Sequence, residues 1–195
     1  MVAAPQPDGD RDAVPAARLR RFTGEEYDKL VALGYFAGEK VELLRGLIVT
    51  MSPSEPPHAW AIQRLIRLLV SALGDRADIR PQSTFKALHS RPEPDLVIVP
   101  VADYSRAHPS SAHLIIEISE SSLRYDQHDK AALYAEASVR DYWIVNLVDG
   151  CIEVRREPTP QGYRTTTTYR RGERAALLDF PDVTIAVDDV LPPPR

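Results

Sequence analysis

The sequence predicts an α/β (α+β) fold: a mixed central β-sheet flanked by helices, with extra β-hairpins. Three observations predict it. Leu96–Val99 and Leu114–Ile118 are short apolar runs with almost no polar break, the pattern of sheet centres buried on both faces. Residues 58–73 place Ile62, Leu65, Ile66, Leu69, Val70 and Leu73 at helical spacing. The order strand, strand, strand, helix, strand then requires at least one crossover helix against the sheet.

Residues 1–17 are rich in Pro, Ala and Asp, lack apolar periodicity and read as a disordered tail. Thr23 and Glu26 form a capping box that opens a helix, with Tyr27, Leu30, Val31 and Leu33 as its apolar side and Gly34 as its end. Residues 41–44 and 47–51, joined at Arg45-Gly46, read as a hairpin. A loop with three prolines, 52–57, leads to the long helix, which Gly74 stops. A strand is expected over 79–88, then the two buried strands separated by a polar loop, 103–111. A helix over 126–137 leads to the strand Tyr142–Val145, and 152–154 with 163–169 form a last hairpin rich in threonine. Residues 192–195 read as a tail, which leaves 18–191 as one expected domain.

Composition narrows the chemistry. A formal net charge of −4 argues against a general, charge-driven polyanion binder but leaves room for a local basic groove. The lone Cys151 excludes an intrachain disulfide and fits a reducing cytoplasm. The opening residues show no basic region followed by an apolar core, so no secretory signal is expected, and no apolar run approaches the ~20 residues of a membrane span. The histidines and the cysteine show no zinc-type spacing.

The informative residues are acids at the edges of apolar strands. Asp95 precedes Leu96–Val99, and Glu117 follows Leu114–Ile116. Buried carboxylates are costly unless paired or bound to a metal. Side chains alternate along a strand, so Asp95, Val97 and Val99 share a face, as do Ile115 and Glu117. If the strands are neighbours, the two acids meet and make a place for a divalent cation with oxygen ligands. Taken singly, Asp95 reads as well as a turn cap and Glu117 as a strand-end acid paired to an arginine. Asp126, Lys130 and Tyr134 stand at i, i+4 and i+8 on one helix face. The plain alternatives there are a helical salt bridge, an Asp126 cap and a core tyrosine. Glu42 points either into the same cleft or to solvent from an edge hairpin. His58 opens the long helix, where a histidine is ordinarily a surface residue.

The landmarks Glu42-Leu43-Leu44-Arg45-Gly46, Met51-Ser52-Pro53 with His58 beyond, Glu93-Pro94-Asp95-Leu96, Glu117-Ile118-Ser119-Glu120-Ser121-Ser122, Asp126-x-x-x-Lys130-x-x-x-Tyr134 and Asp141-Tyr142-Trp143-Ile144-Val145 occur in this order. As a set, spanning about 22–190, they resemble a large bacterial family that carries the label of restriction endonucleases, within the PD-(D/E)xK nuclease superfamily. The resemblance implies a restriction-endonuclease-like core and Asp95 and Glu117 as metal-binding acids, with the Ile118 carbonyl as a third ligand of Mg²⁺ or Mn²⁺. It implies DNA as substrate, Lys130 as a catalytic lysine migrated to the next helix, Glu42 as an additional acid, and a homodimer for symmetric cutting of duplex DNA. His58 is similar to a recurrent family histidine. One position departs from the superfamily pattern: Ser119 stands where its lysine usually follows the second acid. That departure, with the acidic net charge, supports the alternative of a catalytically silent nucleic-acid-binding or protein-interaction module.

Overall fold

The computed structural model describes residues 19–51 and 55–193. The expected tail over 1–17, the last two residues of the tail over 192–195 and the first three residues of the proline-rich loop, 52–54, lie outside them.

Thr23 caps α1 (Gly24–Ala32) with both halves of the capping box in place. Of its expected apolar side, Tyr27 is buried and its hydroxyl donates to the Val41 carbonyl at 2.8 Å, whereas Val31 and Leu33 face solvent. The hairpin β1 (Val41–Leu44) and β2 (Leu47–Thr50) turns through Arg45 and Gly46. Both turn residues have positive φ, 49° and 82°, as a two-residue type I′ turn requires. The long helix α2 (Pro56–Leu73) starts two residues earlier than expected, with proline in its first turn where a missing N–H costs nothing.

Next come β3 (Asp78–Pro81), β4 (Leu96–Val99) and β5 (Leu114–Ser119). The strand expected over 79–88 stops at Pro81, and beyond it only isolated bonds remain, from the Gln82 N–H to the Asp95 carbonyl and from the Phe85 N–H to the Pro92 carbonyl. β4 begins only after Pro92 and Pro94, which lack an N–H, and Gln82 turns away with φ 43°. The crossover from β5 runs through α3 (Leu123–Tyr125), a π-helical turn (Asp126–Lys130) and α4 (Ala131–Glu136) to β6 (Asp141–Asn146). The last hairpin, β7 (Cys151–Thr159) and β8 (Gly162–Arg170), is longer than expected and joins the main sheet as its outer edge. β9 (Arg174–Ala176), β10 (Thr184–Ala186) and α5 (Val187–Val190) follow.

The main sheet has the order β3-β4-β5-β6-β7-β8, antiparallel throughout except for the parallel pair β5–β6 that the crossover joins. Strand alternation divides the core. Leu96, Ile98, Leu114, Ile116, Trp143 and Val145 pack with Leu65 and Leu69 of α2 and with the C-terminal β9–α5 unit. On the opposite face Val97, Val99, Ile115, Tyr142 and Ile144 pack with Ala131, Leu133 and Tyr134 of α4. Each fully buried leucine or isoleucine contributes about 1.5–3 kcal/mol of transfer free energy. Mixed sheet, flanking helices and added hairpins are as the sequence predicts. No helix among the described residues is long and apolar enough to cross a membrane.

Candidate active site

The register Leu96↔Ile116 sets Asp95 beside Glu117, one step beyond the ladder and on the α4 side of the sheet. Backbone and side chain interlock there. The Asp95 N–H donates to Glu117 Oε2 at 3.3 Å, and the Ile118 N–H donates to Asp95 Oδ2 at 2.8 Å. Glu117 Oε1 accepts from Lys130 Nζ at 3.0 Å and from the Tyr134 hydroxyl at 2.7 Å. His58 Nε2, at the start of α2, lies 3.0 Å from Asp95 Oδ2. Glu42 reaches the group because the Leu43 and Arg91 backbones exchange hydrogen bonds of 3.3 and 2.7 Å, tying β1 to the segment before Asp95. Glu42 Oε2 then lies 3.5 Å from Lys130 Nζ and accepts from the Glu93 N–H at 3.1 Å. Glu42 is therefore a cleft residue, not a solvent-facing one.

Asp126 behaves differently from both plain expectations. It lies inside the helical run, not at its start, and it does not pair with Lys130. Its Oδ2 accepts from the Ser119 hydroxyl at 2.7 Å and the Ser122 hydroxyl at 2.6 Å. The cause is the π turn. The Ala131 N–H reaches back five residues to the Asp126 carbonyl, which also accepts from the Tyr142 hydroxyl at 3.0 Å. Single π turns of this kind recur inside helices at functional sites. The extra residue in the turn leaves Lys130 and Tyr134 both aimed at Glu117.

The charges are crowded. Burial pushes the Glu117 carboxyl up to about 8, against the opposing pull of the Lys130 ammonium. Burial also raises Asp126, against Lys130 and its two serine donors. For Lys130 burial disfavours the charge, but Glu117 and then Glu42 outweigh it, so the ammonium is held above its ordinary range. His58 is raised likewise: Asp95 offsets the cost of its partial burial. These groups line a cleft of about 350 Å³, whose walls include Glu42, His58, Asp95, Glu117, Ile118, Asp126 and Lys130. Tyr134 lies fully buried behind Glu117 rather than on the wall. The cleft also holds Gln82 and Glu93, to which the sequence reading gave no role. Burial raises the Glu93 carboxyl too. Its place in the Glu93-Pro94-Asp95 landmark was the one available sign of it.

Among the described residues, no group of three or more His, Cys, Asp and Glu side chains stands already arranged around a metal position. The donor chemistry nonetheless fits a hard divalent cation. Asp95, Glu117, Glu42 and Asp126 offer carboxylate oxygens, and Mg²⁺ is typically held by one or two carboxylates while keeping several waters.

Residues 25–188 match the family model "Uma2: Putative restriction endonuclease". Among solved structures the chain is similar to the crystal structure of "a putative nuclease belonging to DUF820" from Anabaena variabilis. The TM-score is 0.70 at 12% identity, over 87% of this chain and 97% of that one. At that identity the likeness is one of fold. No curated protein matches the chain in sequence.

Proposed function

The chain belongs to the Uma2 family, and from that membership and the chemistry of its cleft we propose that it is a divalent-metal-dependent endonuclease acting on DNA phosphodiesters. The observation that carries this reading is the Asp95–Glu117 pair, two acids held on one face of the sheet with a buried lysine 3.0 Å from one of them. Asp95, Glu117 and the Ile118 carbonyl would hold Mg²⁺ or Mn²⁺. The ion, when bound, supplies a Lewis acid for the phosphoryl oxygen and lowers the pKa of a coordinated water.

The chain's own groups do the rest. Lys130 presents a fixed positive charge where negative charge grows on the phosphoryl oxygens. Glu42 holds Lys130 from the other side and stands ready to orient a water. His58 fixes the Asp95 carboxylate, and Tyr134 fixes that of Glu117. Cutting both strands of a duplex needs two such sites, which supports a homodimer. The exposed outer edge of β8 supports the β7–β8 hairpin as a dimer or DNA surface.

One observation favours a second reading, a catalytically silent nucleic-acid-binding or interaction module. Ser119 stands at the superfamily's lysine position, and its hydroxyl is committed to Asp126. Cleavage of plasmid and single-stranded DNA in Mg²⁺ or Mn²⁺ separates the two. The nuclease reading expects nicking that is lost in both Asp95→Ala and Lys130→Ala. Loss in Asp95→Ala alone keeps the nuclease and removes Lys130 from the chemistry. DNA binding with no cleavage in either metal leaves the silent module.

A further inference from the structure

Seven glycines among the described residues have positive φ, where glycine meets no penalty. Five residues with a side chain share that conformation: Arg45, Gln82, Leu88, Ser138 and Glu157. A Cβ makes the left-handed region costly, and residues held there gather at functional sites. Of the five, Gln82, with φ 43°, is the one that lines the cleft at Asp95 and Glu117. Arg45, by contrast, closes a hairpin, and its guanidinium pairs with Glu136 at 2.7 Å. Glycine would make the Gln82 turn without cost, so the turn alone does not call for glutamine.

The position is as telling as the backbone. The register of β3 on β4 ends at Pro81↔Leu96, and one step further it sets Gln82 opposite Asp95. The Gln82 N–H donates to the Asp95 carbonyl at 3.0 Å, so the residue that carries the acid also fixes the residue that carries the amide. Gln82 is exposed, and its side chain makes no hydrogen bond among the described residues. The groups around it are committed: Asp95 to His58, Glu117 and Glu42 to Lys130, and Asp126 to Ser119 and Ser122. Glu93 accepts from the Thr84 hydroxyl at 3.3 Å. A cation opposite Asp95 would be drawn onto these carboxylates. An amide carries two N–H donors without that pull, so it stays available to a phosphate oxygen.

We propose that Gln82 is a substrate-contacting residue of this cleft, its side-chain amide donating a hydrogen bond to a non-bridging oxygen of the phosphodiester bound at Asp95 and Glu117. This rests on the nuclease reading. The bond strengthens as negative charge grows on that oxygen during attack, so its loss shows in the cleavage rate more than in DNA binding.

Single-turnover cleavage of plasmid DNA by the full-length protein in Mg²⁺ or Mn²⁺, with Mn²⁺ calorimetry and thermal melts on each variant, tests it. Gln82→Gly keeps the turn and removes the amide. It should melt no lower than the wild type, bind Mn²⁺ as the wild type does and cleave about 10- to 100-fold more slowly, the loss expected for one hydrogen bond to a charged oxygen. A residue that serves only the turn predicts the opposite, since glycine serves it better. Gln82→Glu should be slower still, because a carboxylate repels the phosphate. Wild-type cleavage by Gln82→Gly, a loss of cleavage matched by an equal loss of Mn²⁺ affinity, or Gln82→Glu cutting faster than Gln82→Gly each overturns this inference and leaves the nuclease reading standing. A wild-type protein that cuts no DNA in either metal overturns both.

Discussion

Burial pushes the Glu117 carboxyl up to about 8, and the same cause raises Asp126 and Glu93. The consequence is a stability that depends on pH in a defined sense. An acid whose folded pKa lies above its unfolded value keeps a proton in the native state that the unfolded chain has lost. The native state therefore binds more protons across that window, and stability falls as pH rises. For Glu117 the window runs from its ordinary 4.5 to about 8. The raised His58 acts in the same direction, because its imidazolium contributes stability that is lost as pH rises through the folded value. The melting temperature of the metal-free protein should fall between pH 5 and 8, and Glu117→Gln should flatten that fall. An unchanged slope in Glu117→Gln would show that Glu117 does not titrate there. The Asp95–Glu117 pairing was legible in the sequence, because strand parity and an apolar neighbourhood restrict where such acids go. The Ser119–Asp126 bond was not. Spacing alone assigns Asp126 to Lys130, and only the bulge takes it elsewhere.

That bulge is set between elements, by a strand acting on a helix. The Asp126 carbonyl is shared by the Ala131 N–H and the Tyr142 hydroxyl, from a strand 16 residues on. Helical periodicity records neither the hydroxyl nor its target, so a regular helix over 126–137 is what the sequence alone supports. Tyr142→Phe removes one hydrogen bond, worth about 1 kcal/mol. It also frees the carbonyl to resume the ordinary i−4 bond and close the π turn, rotating Lys130 relative to Glu117. The expected outcome is a modest loss of stability with a disproportionate loss of DNA cleavage, about 10²-fold for a misplacement near 1 Å. Parallel thermal melts and cleavage rates check it; equal, small effects on both would mean that the hydroxyl does not set the turn. Elements with strong patterns were read well: the capping box of α1, the type I′ hairpin and α2. β9, β10 and α5 have only three, three and four residues, too few to carry a period. β3 was overextended because Pro92 and Pro94 act on its partner strand rather than on its own sequence.

At the scale of the whole molecule, the sheet brings five separate stretches of chain to one place. Glu42 arrives on a hairpin outside the main sheet, Asp95 and Glu117 on paired strands, Lys130 on the crossover helix and His58 at the start of a helix on the other face. The order of apolar runs made the mixed sheet readable. How the hairpin docks was not readable, since it depends on Leu43 and Arg91 exchanging backbone bonds across 48 positions. This convergence is the proposed divalent-cation site. Calorimetric titration of Mn²⁺ into the wild type, Asp95→Ala and Glu117→Ala at pH 7, where Glu117 still holds its proton, tests it most directly. Binding by the wild type that is lost in both variants, with the proton release from Glu117 that its raised pKa requires, is the predicted result. Unchanged Mn²⁺ binding in a folded Glu117→Ala variant would contradict it.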